Sequence, residues 1–110
     1  MTIFITQGRF TREAMAGMVA KPEDRAVAVS KLAKASGLKL HDYYFTFGEY
    51  DFLAIVEGPD PQQAATMLIT AASSGGVSDL KTTVAMTSAD AKKCFEAAGG
   101  LKKSFRPAGA

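Results

Sequence analysis

A chain of 110 residues fits one domain and can bury one hydrophobic core without disulfide or metal staples. Hydrophobic residues make up 47%, charged residues 22%, and the formal charge is only +2 with Lys and Arg spread among acids, which argues against a nucleic-acid partner. The single Cys94 excludes an internal disulfide, no run approaches the ~20 apolar residues of a membrane span, and no basic-then-apolar leader precedes Thr2-Ile3-Phe4-Ile5, so a soluble cytoplasmic protein without a membrane partner is expected.

Residues 2–7, TIFITQ, are β-branched and aromatic and predict a first strand. Thr11 is the expected N-cap of a short helical stretch through Met15, Met18 and Val19. Pro22, followed by Glu23 and Asp24, suits the first position of a second helical stretch, and Gly37 suits its end. Residues 38–47 and 50–57 predict two further strands. Asp60-Pro61-Gln62-Gln63 is a helix start in which Asp60 caps and Gln63 reaches back to it. Gly75-Gly76 stops that helix, residues 77–86 predict a fourth strand, and 87–98 a last helix that Gly99-Gly100 ends. The domain is therefore expected over 1–98, with 99–110 a mobile tail. The fold class is α+β: a ferredoxin-like β-α-β-β-α-β order, a four-stranded antiparallel sheet with helices on one face, and a helical addition at the end.

The segment FTFGEYDFLAIVEGPD, residues 45–60, reads as a hairpin. A two-residue type II′ turn at Gly48-Glu49 pairs Thr46 with Asp51, Phe45 with Phe52 and Tyr44 with Leu53. On that register His41, Tyr43, Phe45, Phe47, Tyr50, Phe52, Ala54 and Val56 share the face under the helices. The other face carries Leu40, Asp42, Tyr44, Thr46, Asp51, Leu53 and Ile55, which is too apolar for a freely solvated sheet. A second subunit is expected to cover it.

Gly48, Tyr50 and Asp51 between two strands, the Pro59-Asp60 helix start, Thr6-Gln7-Gly8, Pro22-Glu23-Asp24-Arg25 and the Gly37 helix stop together resemble the GYD-domain family, over roughly residues 2–90. The resemblance implies the dimeric α/β-barrel superfamily, in which two ferredoxin-like sheets pack face to face. That superfamily includes cofactor-free monooxygenases, isomerases, haem enzymes and ligand-sensing modules, so the resemblance informs the fold more than the function.

Asp51 is the catalytic candidate: a carboxylate held between two sheets can act as general acid or base. Tyr44, Thr46 and Tyr50 are the candidate ligand-binding residues beside it. The plainer expectation is that Asp51 accepts backbone N–H groups of the turn and Tyr50 caps the core. His41 has no second ligand at metal-binding spacing, so no metal site is expected. Cys94 has no CxxC partner and is expected to be packed or inert. Arg9, Arg12, Lys21 and Arg25 cluster near the first helices but match no phosphate loop, and no cofactor is expected. The residues favour a homodimer or larger even oligomer that binds a small organic ligand between facing sheets. The alternative is a cofactor-free enzyme, monooxygenase- or isomerase-like, using Asp51 as general acid/base.

Overall fold

The computed structural model describes residues 1–110. In chain order it forms β1 (Thr2–Phe10), α1 (Arg12–Ala20), α2 (Arg25–Ala35), β2 (Lys39–Phe45), β3 (Phe52–Gly58), α3 (Pro61–Ser73), β4 (Val77–Ala85) and α4 (Ser88–Leu101), followed by a 3-10 turn over Lys102–Ser104. The strands make one sheet in the order β2-β3-β1-β4, and every neighbouring pair is antiparallel. This is the expected ferredoxin-like arrangement, and the first crossover holds two helices, as the two helical stretches before Gly37 predict.

Local chemistry explains the helix ends. The Thr11 hydroxyl accepts the Ala14 N–H at 3.2 Å and starts α1. Asp24 accepts the Ala26 N–H at 3.0 Å, so α2 begins after Asp24 and Pro22 lies in the connection, not at a helix start. A carboxylate cap satisfies an orphan helix donor, which Pro22 cannot do from its own position. Gly37, at φ +80°, closes α2: Leu38 N–H donates to Ala33 O at 2.8 Å and Gly37 N–H to Lys34 O at 3.1 Å, the paired bonds of a Schellman end. Asp60 accepts from Gln62 and Gln63 N–H at 2.9 and 3.2 Å. The Gln63 side chain turns instead toward Gly37, and its amide oxygen is buried without a partner. Gly99-Gly100 does not end the last helix, which runs on to Leu101.

The strands alternate with period two. In β1 Phe4, Thr6 and Gly8 are buried, while Ile3, Ile5 and Gln7 are partly exposed; in β3 Phe52, Ala54, Val56 and Gly58 are buried, while Leu53, Ile55 and Glu57 are partly exposed. The hairpin register is as expected at Phe45↔Phe52 and Tyr44↔Leu53. The turn is not. Thr46 N–H donates to Asp51 O at 2.9 Å, in keeping with the expected Thr46–Asp51 pair, but regular pairing stops at Phe45 and Gly48 does not take the positive φ that a type II′ turn requires. Further along, Asp42 pairs with Ile55 but Leu40 with Val56, so His41 is an extra residue in β2. This bulge returns Leu40 to the helix side, where it packs on the core, and His41 bonds Glu57 Oε1 at 2.7 Å on the other face. Both residues were expected on the opposite faces. A second irregularity puts Asp79 and Leu80 of β4 opposite Gly8, with Asp79 at φ 52°.

The core is small: Phe4, Ala33, Leu38, Val56, Ala64 and Met67, with Val29, Leu32 and Leu40 against it. It joins α2 and α3 to one end of the sheet. The other end is closed less tightly, because α1 buries no residue. Nor does α4, which projects from the domain and leaves Phe95 76% exposed. The molecule is accordingly 60 Å long with a radius of gyration of 18.0 Å, against about 13 Å for a compact chain of this length.

Candidate ligand-binding site

Where the core ends, a cavity of ≈ 670 Å³ opens between the sheet and helices α1, α2 and α3. A space of that size falls in the range of small-molecule sites. Its floor is supplied by the helix-facing strand residues Thr6, Phe10, Tyr43, Phe52 and Ala54. Three of these form an aromatic cluster: Phe10 and Phe52 lie 5.2 Å apart, and Tyr43 stacks on Phe52 at 5.9 Å between centroids. Its roof sets Met18, Val29, Leu32, Met67 and Leu68 among small residues, Ala14 and Gly17 of α1, Ala28 of α2, and Ala64 and Ala71 of α3. The small side chains leave space between the larger ones, so the gap between helix and sheet is not filled.

Few polar groups reach the cavity, and most are already engaged. The Thr6 hydroxyl bonds that of Thr82 at 2.9 Å. Thr70 donates to Thr66 O at 2.8 Å and Ser74 to Ala71 O at 2.6 Å within their own helix. The connection from α1 to α2 supplies Lys21, Glu23 and Arg25. Arg25 Nη1 donates to Glu23 Oε1 at 2.8 Å. The half-buried Tyr43 phenol is held in its neutral form: burial pushes its pKa up to about 12, against a smaller opposing pull from the nearby Arg25 charge.

The GYD domain profile matches residues 4–95, most of the chain. The chain belongs to the GYD-domain family. No curated protein sequence matches this GYD-domain protein. Its fold is similar to that of TTHA0845 from Thermus thermophilus, with 18% identity, a TM-score of 0.52, and coverage of 79% of this chain and 95% of the other. Structures of FFRP-DM1 (18% identity, TM-score 0.49, covering 78% and 100% of the two chains) and of the hypothetical protein PHS023 from Pyrococcus horikoshii (17%, 0.48, 79% and 92%) are also similar.

The segment that characterises the GYD family lies outside the cavity. Asp51 Oδ2 accepts the Phe10 N–H at 2.9 Å, and Asp51 N–H donates to Gly8 O at 2.8 Å, so Asp51 fastens the hairpin loop to β1. The Thr46 hydroxyl donates to Tyr50 O at 2.7 Å across that loop. The Tyr50 ring lies 5.6 Å beneath the Arg9 guanidinium, which also donates to Glu49 O at 2.8 Å. Tyr44 is on the open sheet face, 3.4 Å from Asp42 Oδ1. None of these four candidates lines the cavity, which is on the helix side of the sheet and not on the face where a ligand was expected. His41 pairs with Glu57, and Cys94 is exposed, with Met86 Sδ at 3.9 Å, rather than packed. The sequence placed Tyr43 under the helices and Lys21 and Arg25 in a basic cluster, but did not join them into one site. The signal that points to them is the row of small residues at helical spacing, Ala14-Gly17 and Ala64-Ala71, facing an aromatic strand.

Proposed function

We propose that this GYD-domain protein binds a small, mainly apolar organic molecule between its sheet and its helices, and that it works as an assembly of like chains and not as a catalyst. The observation that carries this reading is the ≈ 670 Å³ cavity on an aromatic floor. Its one carboxylate, Glu23, is paired with Arg25, which favours binding over acid/base chemistry there. Asp51 is occupied with backbone N–H and C=O groups, so its geometry supports a structural duty. Assembly is supported by the open sheet face, where Ile5 and Ile55 sit side by side between Ile3 and Leu53. A patch of that kind on an open sheet favours a protein cover, and a second copy brings an identical one.

Native mass spectrometry of the purified protein, followed by denaturing analysis of what is released, tests both parts. A dimer or larger even assembly carrying a reproducible small mass is expected. A monomer at micromolar concentration would overturn the assembly. Gly17→Leu fills space under α1, where a Cβ meets nothing within 4 Å. Retention of the small mass by that variant would overturn the location of the site.

A further inference from the structure

The hydrogen-bonding inventory of the cavity is lopsided. Thr6, Thr70 and Ser74 are engaged within the protein. What remains free to meet a ligand is a set of donors at the α1–α2 connection and on the adjoining strand: the Tyr43 O–H, the Arg25 guanidinium nitrogens not spent on Glu23, and the Lys21 ammonium. Three charges line this end, two positive and one negative, so it carries a net single positive charge. Everything deeper is aromatic, aliphatic or already bonded. Lys21 is exposed and the Arg25 and Glu23 side chains are 34% and 53% exposed, so water serves these groups beside a neutral ligand; an anion alone gains from the net positive charge, and a cation would face an excess of like charge.

Resting on the binding reading above, we infer that the ligand is a monoanionic amphiphile of the carboxylic-acid class. Its hydrocarbon or aromatic body lies on Phe10, Phe52 and the small residues of the helices, and its carboxylate takes hydrogen bonds from Tyr43 and Arg25 with Lys21 alongside. An Arg fork matches a carboxylate in geometry as well as charge. Tyr43 suits the task because its phenol stays protonated, and therefore a donor, throughout the range in which the ligand is ionised.

The test is displacement of a neutral naphthalene dye, prodan, from the full-length protein at pH 7.5 by decanoate, decanol and decylamine. These share one body and differ only in the head. The expected result is that decanoate displaces the dye about tenfold more tightly than decanol, with decylamine weakest, as follows from adding charge-assisted hydrogen bonds to one body. Arg25→Gln should cut the preference for decanoate over decanol from about tenfold to about threefold or less, with an unchanged circular dichroism spectrum showing that the variant is folded. Tyr43→Phe should weaken decanoate by about threefold and decanol by less, narrowing the preference between them. Equal affinity for decanol and decanoate, or a preference for decylamine, would overturn the carboxylate assignment and leave the cavity as a binding site. Failure of the dye and all three amphiphiles to bind would overturn the binding reading itself, and the assignment with it.

Discussion

The Asp51 carboxylate does for the hairpin what a short strand pair would otherwise do. The carboxylate accepts the Phe10 N–H while the Asp51 backbone N–H donates to Gly8 O, and together they tie the loop over residues 46–51 to the end of β1. Asp51→Ala leaves the Phe10 N–H without that partner and should lower the unfolding free energy by about 1–3 kcal/mol in urea titration. Asp51→Asn keeps an acceptor and should cost less; equal stability of the alanine variant would remove the structural assignment. Tyr43 gives a second residue-level outcome. Its folded pKa is raised above the unfolded value, so the stability it contributes is fully present below about pH 10 and is lost as pH rises toward about 12. Tyr43→Phe should therefore flatten the alkaline decline in melting temperature between those limits, as read by circular dichroism. A backbone-binding duty for Asp51 was legible in the sequence, but its partner was not: the turn was expected to supply the N–H, and Phe10, 41 residues away, supplies it. As a site residue Tyr43 was not legible, because in a strand of alternating aromatics it looks like any core ring, and only the missing bulk of the facing helices sets it apart.

Helix caps and strand alternation are decided by neighbours along the chain, and this is where sequence and structure agree most closely. Thr11, Asp60 and the Gly37 stop all sit where their side chains or positive φ predict. Disagreements come from elements meeting across distance. The bulge at His41 answers a mismatch between β2 and β3 that neither strand reveals by itself, and it carries Leu40 across the sheet. Close approach between elements leads to a further prediction. Gly58 lies against the Leu38 side chain at the core end, so a methyl group there has no room. Gly58→Ala should destabilise the protein by about 1–3 kcal/mol in chemical denaturation, as overpacking does. Gly17 is the opposite case: it is a helical glycine with open space around it. Gly17→Leu should raise stability by at least about 0.5–1 kcal/mol, the usual gain on replacing glycine within a helix, while excluding ligand. A destabilised variant would mean that α1 packs more closely on the sheet than the cavity allows.

Across the whole molecule, packing is graded from a tight core at one end of the sheet, through an open cavity at the other, to an α4 that buries none of its residues. A helix of 14 residues is marginal in water without tertiary support. In a dilute monomer, α4 amides should exchange hydrogen nearly unprotected, and they should become protected at concentrations where the chains assemble. Unchanged rapid exchange in the assembled state would show that α4 takes no part in it. The expected tail from residue 99 was read from Gly99-Gly100, whose local preference is outweighed by a helix continuing through them to Leu101. The two outermost strands share one feature, since β2 is broken at His41 and β4 at Asp79. A sheet whose borders are both kinked offers no straight row of N–H and C=O groups to which further strands could add. Growth by endless strand addition, the route to fibres, is therefore blocked at both sides. For the assembly proposed above, the open face of Ile3, Ile5, Leu53 and Ile55 is then the joining surface, and joining there ends with a counted number of copies.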